Sequence, residues 1–387
     1  MPTVESITAL HSDMIAWRRE IHRHPELAFA EHRTASLVAA WLREFGVDEV
    51  VEGIGRTGVV GVLRCGAGAA VGLRADMDAL PIQEMNECDF RSRHANVMHA
   101  CGHDGHIAML LGAARYLAES RSFRGTVVLI FQPAEEGQAG AKAMIDDGLF
   151  ERFPVEAIYG LHNMPGMAAG TFAVSAGAIM AAADSFTILV RGHGGHAAAP
   201  HQTRDPVVAG AAAVMALQTI VSRNAPPSDT AVLSVTEFHG GEAFNVVPDT
   251  VQLGGTVRYF SRKSGDLVRQ RMAAILDGIA AAYNVTMTLD YREGYPPTVN
   301  SAPEADLARR VAAGVAGIDC VMAQEPRMYS EDFAYFLRRK PGAYLFLGNG
   351  ISTDGHGLHS PRYNFNEEIL PIGASFLVRV AETALAR

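Results

Sequence analysis

The run Thr126-Val127-Val128-Leu129-Ile130-Phe131 carries no charge and leads directly into Gln132-Pro133-Ala134-Glu135-Glu136-Gly137-Gln138. Similar short apolar runs occur at residues 59–63, 70–74 and 157–160. Residues 104–119 lie between the runs at 70–74 and 126–131, and their apolar side chains recur at helical spacing. Buried β-branched runs that alternate with helices are typical of an α/β domain with a mostly parallel sheet. The sequence predicts such a domain here.

Reactive side chains follow three of these apolar runs. They are Asp76 and Asp78 after residues 70–74, Glu135 and Glu136 after residues 126–131, and His162 after residues 157–160. In open α/β sheets, ligands bind beyond the carboxyl ends of the strands. We therefore expect these side chains to share one site.

A different pattern begins near residue 180. It predicts, in chain order, a strand at 185–190, a helix at 205–223, strands at 232–236 and 251–259, a helix at 264–283 and a strand at 285–291. The order βαββαβ is that of a ferredoxin-like domain. We place it as an insertion over residues 180–291, so that residues 1–179 and 292–387 form the first domain.

Residues 99–106 read His-Ala-Cys-Gly-His-Asp-Gly-His. Thiolate, imidazole and carboxylate groups are the ligands of transition-metal sites. Cys101 and His103 are two residues apart, so both can reach one ion from an irregular loop. His99 and His106 compete with His103 for this role, and position alone does not choose among the three histidines.

The adjacent Glu135 and Glu136 lie between Pro133 and Gly137, which predict a tight turn. Neighbouring side chains of a straight strand point in opposite directions, whereas a turn lets one glutamate bind metal while the other faces a water. Metal-assisted hydrolysis needs such a carboxylate to carry protons. The pair therefore favours a metallohydrolase over a non-catalytic metal-binding or thiol-redox protein, which would need no such base.

Composition narrows the remaining classes. Of 387 residues, 48% are hydrophobic and 19% charged, and the net charge is −9, as in a soluble globular protein of two domains. Scattered Lys and Arg residues argue against nucleic acid as a partner. No signal peptide or membrane-spanning run is evident, and the four cysteines are too far apart for a disulfide framework. We expect a cytoplasmic protein without a membrane partner.

The chain resembles the di-metal amidohydrolases that include hippurate hydrolase, bacterial N-acyl-amino-acid amidohydrolases and the plant hydrolases of indole-acetyl-amino-acid conjugates. It is similar, more distantly, to aminoacylase and carboxypeptidase G. The segments that carry the resemblance are residues 22–27, 73–81, 98–106, 132–137, 160–163, 194–198, 244–249, 255–258 and 330–333. The resemblance implies hydrolysis of an N-acyl-L-amino acid, a small molecule. A di-metal dipeptidase or carboxypeptidase is the alternative.

The resemblance also implies a role for each candidate residue of the first domain. Two divalent ions per subunit, drawn from Zn, Mn, Ni and Co, would be bridged by a cysteine and held by three histidines and a glutamate. Carried over to this chain, these ligands are Cys101, His103, Glu136, His162 and His359. Glu135 is then the general base, His106 is structural, and Asp76 and Asp78 support the ligands.

Three further residues lie in the inserted domain. By the same resemblance, His196 contacts the oxyanion in the site of a partner subunit, which implies a homodimer. Asn245 and Arg258 match positions that bind the carboxylate of the product amino acid. The planar guanidinium of arginine can bond a carboxylate through two parallel hydrogen bonds.

Overall fold

A computed structural model describes residues 4–351 and 355–386 of the chain. They form two compact units. The first unit comprises Met1–Gly177, Val299–Glu325 and Asp332–Arg387, and the second comprises Ala178–Thr298 and Pro326–Glu331.

The described residues form β-strands and α-helices with the following bounds. The β-strands are β1 (Glu49–Ile54), β2 (Gly58–Cys65), β3 (Ala70–Asp76), β4 (Gly125–Gln132), β5 (Ala157–Pro165), β6 (Phe172–Ala173), β7 (Gly177–Met180), β8 (Ala182–Arg191), β9 (Gly195–His196), β10 (Ala231–His239), β11 (Val246–Val247), β12 (Thr250–Tyr259), β13 (Thr286–Tyr295), β14 (Thr298–Asn300), β15 (Val321–Met322) and β16 (Gly342–Gly350). The α-helices are α1 (Glu5–Ala9), α2 (His11–Arg23), α3 (His32–Glu44), α4 (His103–Ser120), α5 (Glu135–Gln138), α6 (Gly140–Asp146), α7 (Leu149–Arg152), α8 (Pro206–Thr219), α9 (Arg262–Tyr283), α10 (Ala302–Ala316), α11 (Phe333–Leu337) and α12 (Leu370–Ala384).

The first unit is built on an eight-stranded sheet in the order β1-β2-β4-β3-β5-β16-β6-β15. Its central strands β4, β3, β5 and β16 run parallel, whereas β1, β2 and the β16–β6 pairing are antiparallel. Consecutive residues of β16 are buried from Gly342 to Asn349, so both faces of the sheet are covered there. Helix α12 packs against both α4 and α10, and all three helices contact the sheet. Helices α6 and α11 pack against each other, α6 also against β4 and α11 against β5 and β16. The predicted α/β class with a mostly parallel sheet is confirmed.

One strand differs from its sequence-based bounds in a way that affects the site. Strand β5 continues to Pro165, so His162 lies inside the strand rather than after it. The reason is non-local, because residues 161–165 pair with β16, with His162 opposite Phe346. A pairing of this kind leaves no trace in the local pattern of the sequence.

The second unit has a four-stranded antiparallel sheet in the order β10-β12-β8-β13. Helix α8 connects β8 to β10, and α9 connects β12 to β13, which gives the βαββαβ order of a ferredoxin-like arrangement. Along β8, Phe186, Ile188 and Val190 alternate with more exposed residues, as a strand with one covered face requires. These three side chains belong to the unit's hydrophobic core.

One helical stretch departs from the expectation that no segment could span a membrane. Pro206–Asn224 is long and apolar enough by length and composition. Ala209, Ala213 and Leu217 of this stretch pack in the core of the second unit. About a third of the stretch, 33%, is buried.

Candidate metal centre

The loop that carries Cys101 and His103 depends on the glycine between them. Gly102 has φ of 87°, in the left-handed region, and immediately precedes α4. A Cβ at this position would lie 2.4 Å from Asn163 Nδ2 and 2.5 Å from Tyr363 Oη. Only glycine therefore allows two potential ligands to leave one short loop toward the same point.

His103 is held in one orientation and leaves one ring nitrogen unused. Its Nδ1 donates to the backbone oxygen of Asp78 at 2.9 Å, and the Asp78 carboxylate lies 3.2 Å from the same nitrogen. Nε2 is buried and has no hydrogen-bond partner within residues 4–351 and 355–386. A buried polar atom without a partner is costly, and a bound cation would satisfy it.

His162 is also held through its Nδ1, which leaves Nε2 directed at Cys101. Its Nδ1 donates to the backbone oxygen of Asn163 at 2.6 Å, so the neutral ring presents a lone pair on Nε2, which lies 3.3 Å from Cys101 Sγ. Burial lowers the pKa of His162 well below its usual value. The ring is therefore neutral, which is the form that binds metal.

The other two histidines of residues 99–106 are placed differently. Both ring nitrogens of His106 are engaged: Nδ1 lies 2.6 Å from an Asp76 carboxylate oxygen, and Nε2 accepts the backbone N–H of Asn163 at 3.0 Å. His99 is buried, and burial lowers its pKa to about 4. Among the described residues, His99 belongs to no group with metal-binding geometry. His106 does fall in one such group with Asp76 and His103, which its hydrogen bonds explain.

The two glutamates occupy the short helical turn α5. Glu136 has non-helical dihedral angles (φ −71°, ψ 78°) and is followed by Gly137 at φ 79°. One carboxylate oxygen of Glu136 lies 3.3 Å from His359 Nε2 and 4.0 Å from His103 Nε2. Glu135 is buried. Carboxylate oxygens of both glutamates and a ring nitrogen of His103 lie within 4.8 Å of one another, so the turn brings both side chains to the same place.

The predicted ligands therefore converge. Within each of two sets, the ligand atoms lie within 4.8 Å of one another: Cys101, His103 and His162 form one set, and Cys101, Glu136 and His359 form the other. Both sets contain Cys101. One thiol, three imidazoles and a carboxylate fit a borderline divalent ion such as zinc.

The electrostatics of the cluster also suit a cation. Burial by itself lowers the pKa of His103, but Asp76 and Asp78 outweigh burial and raise it to about 10. Burial and the nearby Glu136 and Glu135 raise the pKa of the Cys101 thiol well above its usual value. Negative charge therefore exceeds what the local side chains balance. A divalent ion would displace the imidazole and thiol protons and stabilise the thiolate.

Sequence reasoning assigned no role to two side chains that hold this cluster. Asn163 Nδ2 donates to the Cys101 backbone oxygen at 2.7 Å, and Tyr363 Oη donates to Asn163 Oδ1 at 2.7 Å. Asn163 directly follows a predicted ligand, His162, which is a usable signal. Tyr363 is 200 residues away from Asn163, and nothing local indicates its role.

The three candidates of the inserted domain all lie in the second unit. His196 in β9 pairs with Val246 in β11, and the backbone oxygen of Asn245 accepts the N–H of Ala197 at 3.0 Å. His196 Nδ1 accepts the Ala198 N–H at 3.0 Å, so the ring N–H is on Nε2. Arg258 lies in β12, where its guanidinium donates to the Val257 backbone oxygen at 3.1 Å.

Residues 72–383 match the model of the family described as Peptidase family M20/M25/M40. The chain belongs to this family. It is 44% identical over 383 residues to a hippurate hydrolase of Campylobacter jejuni, covering 98% of this chain and 99% of that protein. It is 39% identical over 383 residues to an N-acetyl-L-cysteine deacetylase of Bacillus subtilis, covering 98% of this chain and 90% of that protein.

Among solved structures, the M20 chain is similar to a dinuclear metal-binding peptidase of the same family from Bacillus subtilis. The TM-score is 0.86 at 32% identity, and the match covers 98% of this chain and 99% of the other. These findings confirm the resemblance inferred from the sequence and the prediction of an amidohydrolase.

Gly102→Ala tests the geometry of the ligand loop. The added Cβ would strike Asn163 and Tyr363, so we expect loss of bound metal from folded protein. Gly137→Ala is the matched control, because Gly137 also has positive φ but no atom lies within 4 Å of its added Cβ. The control should incur only the backbone cost of about 1–2 kcal/mol. Metal content per chain, measured by elemental mass spectrometry, checks both; equal content in the two variants would contradict the expectation.

Proposed function

We propose that this M20 protein hydrolyses the amide bond of N-acyl-L-amino acids of the hippurate or N-acetyl-amino-acid type, releasing a carboxylic acid and a free amino acid. The observation that carries the proposal is the convergence of four donor side chains, three imidazoles and a carboxylate, on Cys101 beside Glu135. Relatives named for hippurate and N-acetyl-L-cysteine support the substrate class, since both compounds are N-acyl amino acids.

We assign two divalent ions to this centre. Cys101, His103 and His162 would hold one ion, and Cys101, Glu136 and His359 would hold the other, with Cys101 common to both sets. The buried Nε2 of His103, which has no hydrogen-bond partner in the described part of the chain, supports this assignment. The relative described as dinuclear also supports it. Thiolate favours zinc, whereas the imidazoles and carboxylate also accept manganese, nickel or cobalt.

When bound, such ions supply Lewis acidity that activates a water and polarises the amide carbonyl. Glu135 takes a proton from the attacking water and returns it to the leaving amine. His196 donates from Nε2 to the developing oxyanion. Asn245 and Arg258 bind the carboxylate of the amino-acid portion, which selects substrates with a free carboxylate.

We further propose a homodimer in which His196 serves the partner subunit's site.

A cytoplasmic location also stays a prediction. All four cysteines are free, which is in keeping with a reducing compartment.

A substrate panel tests the proposed activity. Hippurate and N-acetyl-amino acids should be hydrolysed faster than dipeptides with a free amino group, and a chelator should abolish this activity until Zn, Mn, Ni or Co is added back. Amidated hippurate, which lacks the free carboxylate, is the matched poor substrate. Preference for dipeptides would favour the dipeptidase alternative, and full activity of metal-free Cys101→Ala protein would exclude the metal centre.

The adjacent glutamates should differ when each is changed to glutamine. Glu135→Gln should keep its metal and its substrate affinity but lose turnover by roughly 10²-fold or more, since it removes the general base. Glu136→Gln should instead lose metal affinity, because it removes a ligand. Metal content and kcat of the two variants, measured in parallel, decide the matter; equal metal loss in both would show that the roles are wrongly divided.

Mixed subunits test the partner role of His196. Inactive His196→Ala and inactive Glu135→Gln proteins are combined and allowed to exchange. If His196 acts in the neighbouring site, each heterodimer has one site with both changes and one intact site, so about a quarter of wild-type activity should return. Absence of recovery after exchange has been verified by native mass spectrometry would show that His196 does not act in the partner's site.

A further inference from the structure

The segment Ala134–Ala141, here called the glutamate turn, has an unusual backbone. Ala134 and Ala139 have φ of 53° and 56°, in the left-handed region. The backbone oxygen of Ala134 accepts the Gly140 N–H at 2.9 Å, which closes the turn. Left-handed conformations cost non-glycine residues about 1–2 kcal/mol each. The surroundings must therefore hold the turn that carries Glu135.

Three buried carboxylates accept backbone N–H groups from this turn. Glu31 binds the N–H of Ala134 at 2.8 Å, Asp78 binds that of Glu136 at 2.9 Å, and Asp332 binds that of Ala141 at 2.8 Å. Asp78 also contacts His103, and Asp332 also accepts from Gln132. The second oxygen of Glu31 accepts the Thr57 hydroxyl at 2.5 Å. Glu31 therefore differs from the other two carboxylates: it binds the turn but contacts neither the candidate ligand His103, as Asp78 does, nor Gln132 at the end of β4, as Asp332 does.

The Glu31 carboxylate does not cap helix α3, because Glu26 accepts the N–H groups at the start of that helix. It occupies the N-cap position of α3, yet its side chain makes no capping hydrogen bond to the described residues of that helix. The carboxylate of Glu26 instead accepts the N–H groups of Arg33 at 3.0 Å and Thr34 at 2.8 Å. Glu31 is fully buried, and burial raises its pKa. Burying a carboxylate is costly unless hydrogen-bond donors satisfy its oxygens, as the Ala134 N–H and the Thr57 hydroxyl do here.

We propose that Glu31 is a positioning residue for the general base. By holding the Ala134 N–H, it fixes the start of the glutamate turn and thereby orients the Glu135 carboxylate. This inference rests on the proposed function. Since Asp78 still holds the N–H of Glu136, loss of Glu31 should disturb the base more than the metal ligand.

The experiment compares Glu31→Ala with Glu26→Ala. Both changes remove a glutamate whose carboxylate accepts backbone N–H groups. Glu26 accepts those of Arg33 and Thr34 in α3, whereas Glu31 accepts that of Ala134 in the glutamate turn. In the metal-free proteins, the amide hydrogens of residues 134–136 should exchange at least about tenfold faster in Glu31→Ala than in the wild type. In Glu26→Ala, faster exchange should be confined to residues near 33–34.

Kinetics on the metal-loaded proteins give the second readout. Glu31→Ala should lower kcat by about tenfold or more, because misplacing a catalytic group lowers turnover. Its KM and metal content should match the wild type, and Glu31→Gln, which keeps one acceptor oxygen, should restore most of kcat. Glu26→Ala should keep kcat. If Glu31→Ala does not fold, Glu31→Met keeps the volume and carries the same expectations.

Unchanged exchange at residues 134–136, or equal loss of kcat in the Glu31 and Glu26 variants, would overturn the proposal. Loss of metal together with kcat in Glu31→Ala would also overturn it, because the effect would then not be on the base. If the wild type hydrolyses no N-acyl amino acid, the proposed function fails. In that case the exchange data from metal-free protein still decide whether Glu31 holds the turn.

Discussion

The candidate centre depends on the hydrogen bonds of two aspartates at the end of one central strand. Asp78 fixes His103 through its backbone oxygen and carboxylate and also binds the Glu136 N–H, so it joins the two segments that carry these ligands. Asp76 engages His106, whose other nitrogen accepts from Asn163. All of these contacts except the part-buried one to the Glu136 N–H are buried. For the buried contacts, a missing partner would leave a polar atom unsatisfied at a cost of about 1–3 kcal/mol. The donors are therefore ordered before any ion binds.

A second buried network fixes the start of the helix that follows Cys101. Asp104, in the first turn of α4, lies 2.6 Å from Arg18 Nε and 2.8 Å from His22 Nδ1. Burial alone raises the pKa of Asp104, but Arg18 and His22 outweigh burial and lower it well below the usual range. Removing one partner of a buried ion pair is strongly destabilising, by about 3–5 kcal/mol. Helix α2 thus anchors the ligand loop although it supplies no ligand itself.

Sequence reasoning succeeded where the determining signal is local. Apolar runs indicate the central strands, which the structure confirms. The spacing in residues 99–106 predicts Cys101 as a metal ligand, and this stays a prediction. It left open the choice among three histidines, because that choice depends on which ring nitrogens are already engaged by Asp78 or by Asn163. It also missed the extension of β5, Glu31 and Tyr363, since each is determined by a partner far along the chain. The ligand set was available only through the family resemblance.

The two units offer their candidate groups in different states of order. In the first unit, Cys101, His103 and His162 are buried and restrained by hydrogen bonds. In the second, His196 is exposed on a two-stranded ribbon with Asn245 beside it. Electrostatic stabilisation of a transition state requires donors that are already oriented when charge develops. The imidazole is exposed and is held on its own segment by the hydrogen bond from the Ala198 N–H. We expect further contacts, from substrate or from a partner subunit, to complete its orientation. The five candidate ligands all belong to the first unit, so we expect metal binding to be a property of that unit.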